Sequence, residues 1–353
     1  MKNFFRILFI TALPYSFVPY SYSQYEPPID YYESTDGLYG EDLKSALHDI
    51  IKDHQEFSYS SSSSGWDTWD ILKVSDKDPN NSNNVYLIYT GNSLNGSAEY
   101  NSGRGWNREH IWPRSLGGFN TSQGPGTDVH NLRASNIRIN SSRSNKEFDY
   151  GGQAITVDGA TETYADEDSF EPNDSFKGDV ARAIFYMAVR YEGGSGEPDL
   201  ELSEETDGVI YLFGKISTLL DWHNLDPVDN FERRRNEVIY SYQSNRNPFI
   251  DNPELASAVF DPNYEPEPLD IFKDYSVKII DNKFVFNFTA LSSGYNYMVE
   301  RSTDLTGLFT SAPEIRIIRS RSSEVPPKGY SNLEFSVPTI VAEFFMVKAT
   351  AID

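Results

Sequence analysis

The sequence predicts an α+β protein in two parts, a helix-bearing body followed by an all-β tail. Apolar residues recur at helical spacing in three stretches before residue 254, and they alternate at strand spacing from about Ile271 onward. Between the two regimes lies DPNYEPEPLD (261–270), a Pro- and acid-rich run that reads as a linker. Aromatics make up 14% of the chain, which supports a packed core over disorder.

The first residues, MKNFFRILFITALPYSFVPYSYSQ, place Lys2 and Arg6 ahead of an apolar stretch and a small-residue pattern ending at Ser23. This reads as a signal peptide (1–23) cleaved after Ser23, giving a secreted or periplasmic protein with no membrane span. The body (24–260) carries no cysteine, and neither does the tail. Disulfides, thiolate catalysis, cysteine-type zinc sites and c-type haem attachment are therefore excluded.

GEDLKSALHDIIKDH (40–54) spaces Leu43, Leu47, Ile50 and Ile51 as an amphipathic helix, with His48 and His54 off that stripe as surface or cap residues. SDKDPNNSNN is a turn-rich loop. Its Asp76, Asp78 and Asn80 alternate as calcium ligands do, but the glycine and closing glutamate of a calcium hand are missing. VYLIY (85–89) is a short buried strand. GDVARAIFYMAVRY (178–191) is a second helix. DPVDNFERRRNEVIYSY (226–242) is a third, with Asp226 as N-cap and Pro227 at its first turn. Of its consecutive Arg233, Arg234 and Arg235, at least one should meet solvent. In the tail, YSVKII, KFVFNF, YNYMVERS, EIRIIRS, LEFSV and AEFFMVKA alternate as strands of a small β-sandwich (271–353) without histidine.

The chemistry concentrates in WNREHIW (106–112) and TDVHNLRASNIRINSSRSN (127–145). A strand ending in His110, a Gly-rich loop, a second strand and an Asn near a helix start form a ββα layout. Phosphodiester hydrolysis needs an activated water and a stabilised leaving oxygen. A neutral imidazole can accept the water's proton. A hard divalent ion on oxygen ligands can neutralise developing charge, and an arginine can hold a phosphate oxygen. The span offers His110, Glu109, Asn140, and Arg133 or Arg143 for these tasks. The chain carries a formal charge of −23, which by itself argues against a polyanionic partner. Residues 101–150, however, hold seven basic side chains against four acidic ones. A nucleic acid would meet a local, salt-sensitive patch. Trp106 and Trp112 read as core first and base-stacking platforms second.

NREHIWPRSLG, TDVHNLRASNIRINSSRSN, FEPNDSFKGDVARAIFYMAVRY and LLDWHNLDPVDNFERRRNEVIYSYQSNRNPFIDNPE together resemble the bacterial endonuclease I family. These are secreted or periplasmic non-specific nucleases of the ββα-metal (His-Me finger) superfamily. The resemblance implies His110 as general base, Glu109 and Asn140 as metal ligands, and Arg143 as a further catalytic residue. His130 and Asn131 would support the second strand. Arg114 and Arg133 are candidate substrate contacts on charge and position alone. The resemblance also implies one Mg²⁺ per site, with Mn²⁺ or Ca²⁺ as substitutes, and 5′-phosphate products from DNA and, second, RNA. The tail lies outside this match and resembles fibronectin-like modules that bind a cell surface or substrate. Two rival readings are an inactive nuclease-like scaffold in a secreted binding protein and a glycosidase built on two carboxylates. The intact His–Glu–Asn set argues against the first, and the lack of a spaced acidic pair against the second.

Overall fold

The computed structural model describes residues 8–10, 25–28, 30–35, 37–61, 65–156, 159–194, 196–205 and 208–264, and in the tail 272–280, 283–291, 295–302, 310–311, 317–319, 330–338 and 344–351. It divides into two units, Tyr22–Tyr264 and Met1–Ser21 with Glu265–Asp353. The expected cleavage point after Ser23 and linker residues 265–270 lie outside the described residues. In the N-terminal segment the described part is one strand, Leu8–Ile10 (β1).

The larger unit begins with α1 (Gly40–Ile51), which buries Leu43, Leu47 and Ile51 as its apolar stripe requires. Next come α2 (Thr68–Ser75), capped by the Asp67 carboxylate, and the hairpin β2 (Asn84–Tyr86) and β3 (Ser93–Asn95). The second pair is β4 (Trp106–His110), then α3 (Arg114–Gly117), then β5 (Leu132–Asn136), which runs antiparallel to β4. The helix α4 (Ile137–Arg143) follows at once, its first amides capped by the Asn136 side chain. A small sheet comes next, ordered β6 (Glu147–Phe148), β9 (Ser169–Glu171), β8 (Tyr164–Ala165), β7 (Gln153–Ala154). Five helices complete the unit: α5 (Lys177–Arg190), α6 (Ile216–Leu225), α7 (Asn230–Gln243), α8 (Pro248–Asp251) and α9 (Leu255–Phe260). No helix among the described residues is long and apolar enough to cross a membrane.

Two apolar clusters flank the β4–β5–α4 unit. Trp106, Leu132 and Ala134 belong to one, with Ile71, Leu72 and Ile239. Ile111, Trp112 and Ile139 belong to the other, with most of α5. Trp106 and Trp112 are thus core, as the first of their two readings had it.

Ion pairs brace the interior around α5 and α7. Arg182 grips Glu232 through two hydrogen bonds of 2.7 and 2.6 Å, and Arg235 reaches Asp76 at 2.6 Å. Asp76 is therefore a buried counter-ion, and the loop reading of residues 76–80 stands. The third helix starts later than its sequence suggested. Asp229 and Glu232 close a reciprocal capping box, while Asp226 ends α6 and accepts the Gly178 amide. Arg235 is buried and Arg234 donates to the Ser75 and Lys77 carbonyls, while Arg233 and Arg234 are half-buried and so partly meet solvent, as expected. His48 and His54 are not free surface groups either. His48 Nδ1 lies 2.9 Å from the Val189 carbonyl, and His54 Nδ1 accepts from Arg190.

The tail unit holds β10 (Phe272–Ile280), β11 (Lys283–Leu291), β12 (Tyr295–Ser302), β13 (Thr310–Ser311), β14 (Ile318–Arg319), β15 (Tyr330–Pro338) and β16 (Phe344–Ala351). They form two antiparallel sheets, β10-β11-β15-β14 and β1-β16-β12-β13. Phe286 and Phe335 sit opposite in register, with their rings stacked at 4.7 Å.

Candidate active site

Side chains alternate across a strand, and β4 uses both faces. Trp106, Arg108 and His110 share one. Arg108 lies over the Tyr59 and Trp69 rings, and the His110 ring stacks on Tyr59 at 5.8 Å. Asn107 and Glu109 share the other face, toward α4. Asn140 donates to Asn107 Oδ1 at 3.1 Å, and Arg143 lies 3.2 Å from Glu109 Oε1.

His110 is 8% exposed. Its Nε2 lies 2.9 Å from the Gly126 carbonyl, which can only accept, so Nε2 carries the proton. Nδ1 then holds the lone pair and has no partner among the described residues. Burial pushes the imidazole down to about 3, so it is neutral at physiological pH. Glycine is required where the loop makes this contact. A Cβ on Gly126 would stand 1.7 Å from the Asn120 carbonyl oxygen.

Glu109 is buried. Its Oε1 accepts from the Tyr89 hydroxyl at 2.9 Å and faces Arg143, while Oε2 accepts no hydrogen bond from the described residues. Burial pushes its carboxyl up to about 7, against the opposing pull of Arg143 and the Tyr89 hydroxyl. Asn140 is half-buried and uses its amide nitrogen, which leaves Oδ1 unengaged among the described residues. One carboxylate oxygen and one amide oxygen on the same side of β4 are a hard donor pair. They suit an ion that keeps several waters. A carboxylate in an apolar setting is also one that a cation would favour in its charged form. No group of three or more His, Cys, Asp or Glu that could hold a metal gathers among the described residues, here or elsewhere.

Arg143 does not reach solvent. Its guanidinium donates to the His110 carbonyl at 2.9 Å and the Ile111 carbonyl at 2.5 Å, and packs over Phe148. Arg133 is equally enclosed. It pairs with Asp179 at 2.5 Å and lies near Asp76. The phosphate contacts expected of these two arginines find no support in their surroundings. Arg114, the first residue of α3, is exposed. Asn131 holds the turn after β4, accepting from the Trp112 amide at 2.7 Å and donating to its carbonyl at 3.3 Å. His130 packs on Tyr186 with ring centroids 4.4 Å apart, its Nε2 3.3 Å from the Asn245 carbonyl.

Four participants went unnoticed in the sequence: Tyr59 under His110, Gly126 behind it, Tyr89 on Glu109 and Asn107 on Asn140. The glycines of LGGFNTSQGPG signalled a loop, but nothing in their spacing points to residue 110.

A profile of the endonuclease I family matches residues 39–254. The extracellular ribonuclease of Bacillus subtilis (strain 168) is 50% identical over 232 residues, covering 65% of this chain and 78% of that protein. The extracellular ribonuclease of Bacillus amyloliquefaciens is 51% identical over 232 residues, with the same shares. Both β4 and the β5–α4 turn fall inside the matched range, and with them the residues just described. This chain belongs to the endonuclease I family and is a nuclease, a hydrolase of nucleic acid.

Proposed function

We propose that the chain is an exported, divalent-metal-dependent endonuclease that cuts RNA and DNA without sequence specificity. The observation that carries this reading is the His110 tautomer. With Nε2 donating to the Gly126 carbonyl at 2.9 Å, Nδ1 is left as a neutral, unpartnered base at the end of β4. His110 takes a proton from a water as that water attacks phosphorus, and the bond to the 3′ oxygen breaks. The products are a 3′-hydroxyl and a 5′-phosphate. Glu109 Oε2 and Asn140 Oδ1 are the atoms that would hold Mg²⁺ there. The ion supplies charge neutralisation at the phosphate and the departing oxygen. Tyr59 fixes the plane of the imidazole, and Arg143 ties α4 to the end of β4, so both act as positioning residues. Arg114 is the exposed cation nearest in sequence to the base, and it attracts phosphate.

An external water as nucleophile needs no 2′-hydroxyl, which is why both nucleic acids fit one site. The ribonuclease names of the two Bacillus relatives support RNA. Their extracellular description supports export, and cleavage of the signal after Ser23 is a further part of the proposal. The tail, residues 271–353 beyond a linker, is proposed as a β-sandwich for attachment or substrate binding.

The test is nicking of plasmid DNA and cleavage of RNA with Mg²⁺, with and without chelator, followed by end analysis. We expect 5′-phosphates on both substrates and no cleavage under chelation. A 2′,3′-cyclic phosphate on RNA would overturn the water mechanism.

A further inference from the structure

A cavity of about 450 Å³ adjoins the base. The loop residues 118–126 form one wall, ending at Gly126, whose carbonyl orients His110. Phe119 and Tyr211 line it as aromatic surfaces, and the Phe119 ring lies 6.3 Å from the His110 ring. Both rings are seated against glycine. A Cβ on Gly117 would fall 2.1 Å from the Phe119 ring, and one on Gly118 2.6 Å from the Tyr211 ring. Tyr211 is 44% exposed and holds a positive φ of 77°. Its backbone amide is fastened to the Leu116 carbonyl at 2.6 Å.

The charge at this cavity is of the wrong sign for phosphate. Glu56 and Glu197 line it, and Glu197 is already neutralised by Arg190. The Glu56 carboxylate stands over Gly124 and accepts no hydrogen bond from the described residues. Glu56 belongs to the same segment as Tyr59, which stacks under His110. An uncharged, flat group with hydrogen-bond donors on its edge matches all of these features. Aromatic faces take the plane of such a group, and a carboxylate takes its donors.

We infer that this cavity is a nucleobase subsite beside the scissile phosphate, stacking one base on Tyr211 and Phe119 and preferring bases that carry an exocyclic amino group, read by Glu56. The inference rests on the nuclease reading above. Backbone hydrolysis stays sequence-tolerant, and one flanking position acquires a bias against uracil and thymine.

The experiment uses the full chain and short RNAs with a single cleavable linkage, carrying an abasic residue at each flanking position in turn. At one position, loss of the base should raise KM about ten-fold for the unmodified protein, the scale of one base–aromatic stack. Tyr211→Ala should raise KM with the intact RNA by a similar factor, and should erase the penalty for the abasic residue. Glu56→Gln should abolish the discrimination between cytosine and uracil at that position. Both side chains lie at the surface, so each variant is expected to fold, which circular dichroism checks. If the RNAs are cut but abasic residues are neutral everywhere, or Tyr211→Ala keeps the full penalty, the subsite is overturned and the nuclease reading stands. If no RNA or DNA is cut, both fall together.

Discussion

Two histidines twenty positions apart make an instructive pair. His110 and His130 are both buried, and burial pushes each imidazole down to about 3. Each also has Nε2 facing a backbone carbonyl, of Gly126 and Asn245 respectively. The difference lies in the other nitrogen. His130 Nδ1 is sealed without a partner, and the ring rests on Tyr186. His110 Nδ1 is not enclosed in that way, and it stands at the end of β4. A lowered pKa therefore does not distinguish a base from a packing residue. Access to the lone pair does.

That contrast can be broken most directly at His110. His110→Ala should lower kcat by about 10³-fold, within the usual range for a general base. The ring is buried on Tyr59, so stability falls as well, and single-turnover kinetics of the folded fraction is read beside a melting curve. Equal loss of activity in His130→Ala with an unchanged melting curve would erase the distinction. Next in size is the oxygen pair. Asn140→Ala should cost about 100-fold in activity at limiting Mg²⁺, with partial recovery at high Mg²⁺, because ligand losses act through occupancy. A metal titration of the rate tests this.

His130→Ala should show the opposite signature. Removing a ring packed on Tyr186 should cost about 2–4 kcal/mol of stability, while kcat/KM of the folded fraction falls less than about threefold. Denaturant unfolding together with kinetics measures both. The acid limb sharpens the comparison further. His130 is held neutral in the fold, so the unfolded chain binds the extra proton between its ordinary value near 6.5 and about 3. Stability should fall as pH drops through that window. Asp128 extends the loss. Burial raises its carboxyl, but His54, His130 and the Gln243 amide pull it down to about 2. Its contribution is present above about 4 and vanishes as pH falls toward 2. Melting temperature against pH should show both, and His130→Phe should flatten the upper part. The smallest effect belongs to Arg114→Ala. It should raise KM a few-fold and shallow the salt dependence by about one phosphate contact.

The order β4, β5, α4 was legible in the sequence because alternation, a glycine-rich loop and an Asn at a helix start are local signals. The same signals singled out His110, Glu109 and Asn140 as a candidate set, although α4 is capped by Asn136 and Asn140 lies inside the helix. Arginine chemistry was not. Arg133 and Arg143 looked like phosphate ligands, yet their partners are Asp179, 46 positions away, and the backbone at 110 and 111. A positive charge in sequence does not say whether water or a buried carboxylate will meet it. The start of α7 failed in a smaller way. Asp226-Pro227 is a good opening, but Asp229 with Glu232 satisfies two amides at once and won. His54 looked peripheral because its partner, Arg190 of α5, lies 136 positions away in the chain.

The interior of the larger unit is stitched by charge where cysteine is absent. Arg182 with Glu232, Arg235 with Asp76 and Arg133 with Asp179 join helices and strands far apart along the chain. Such links need no oxidant to form and no isomerase to sort. Thiols in the surroundings leave them untouched, so the protein can take shape equally well in reducing and oxidising media.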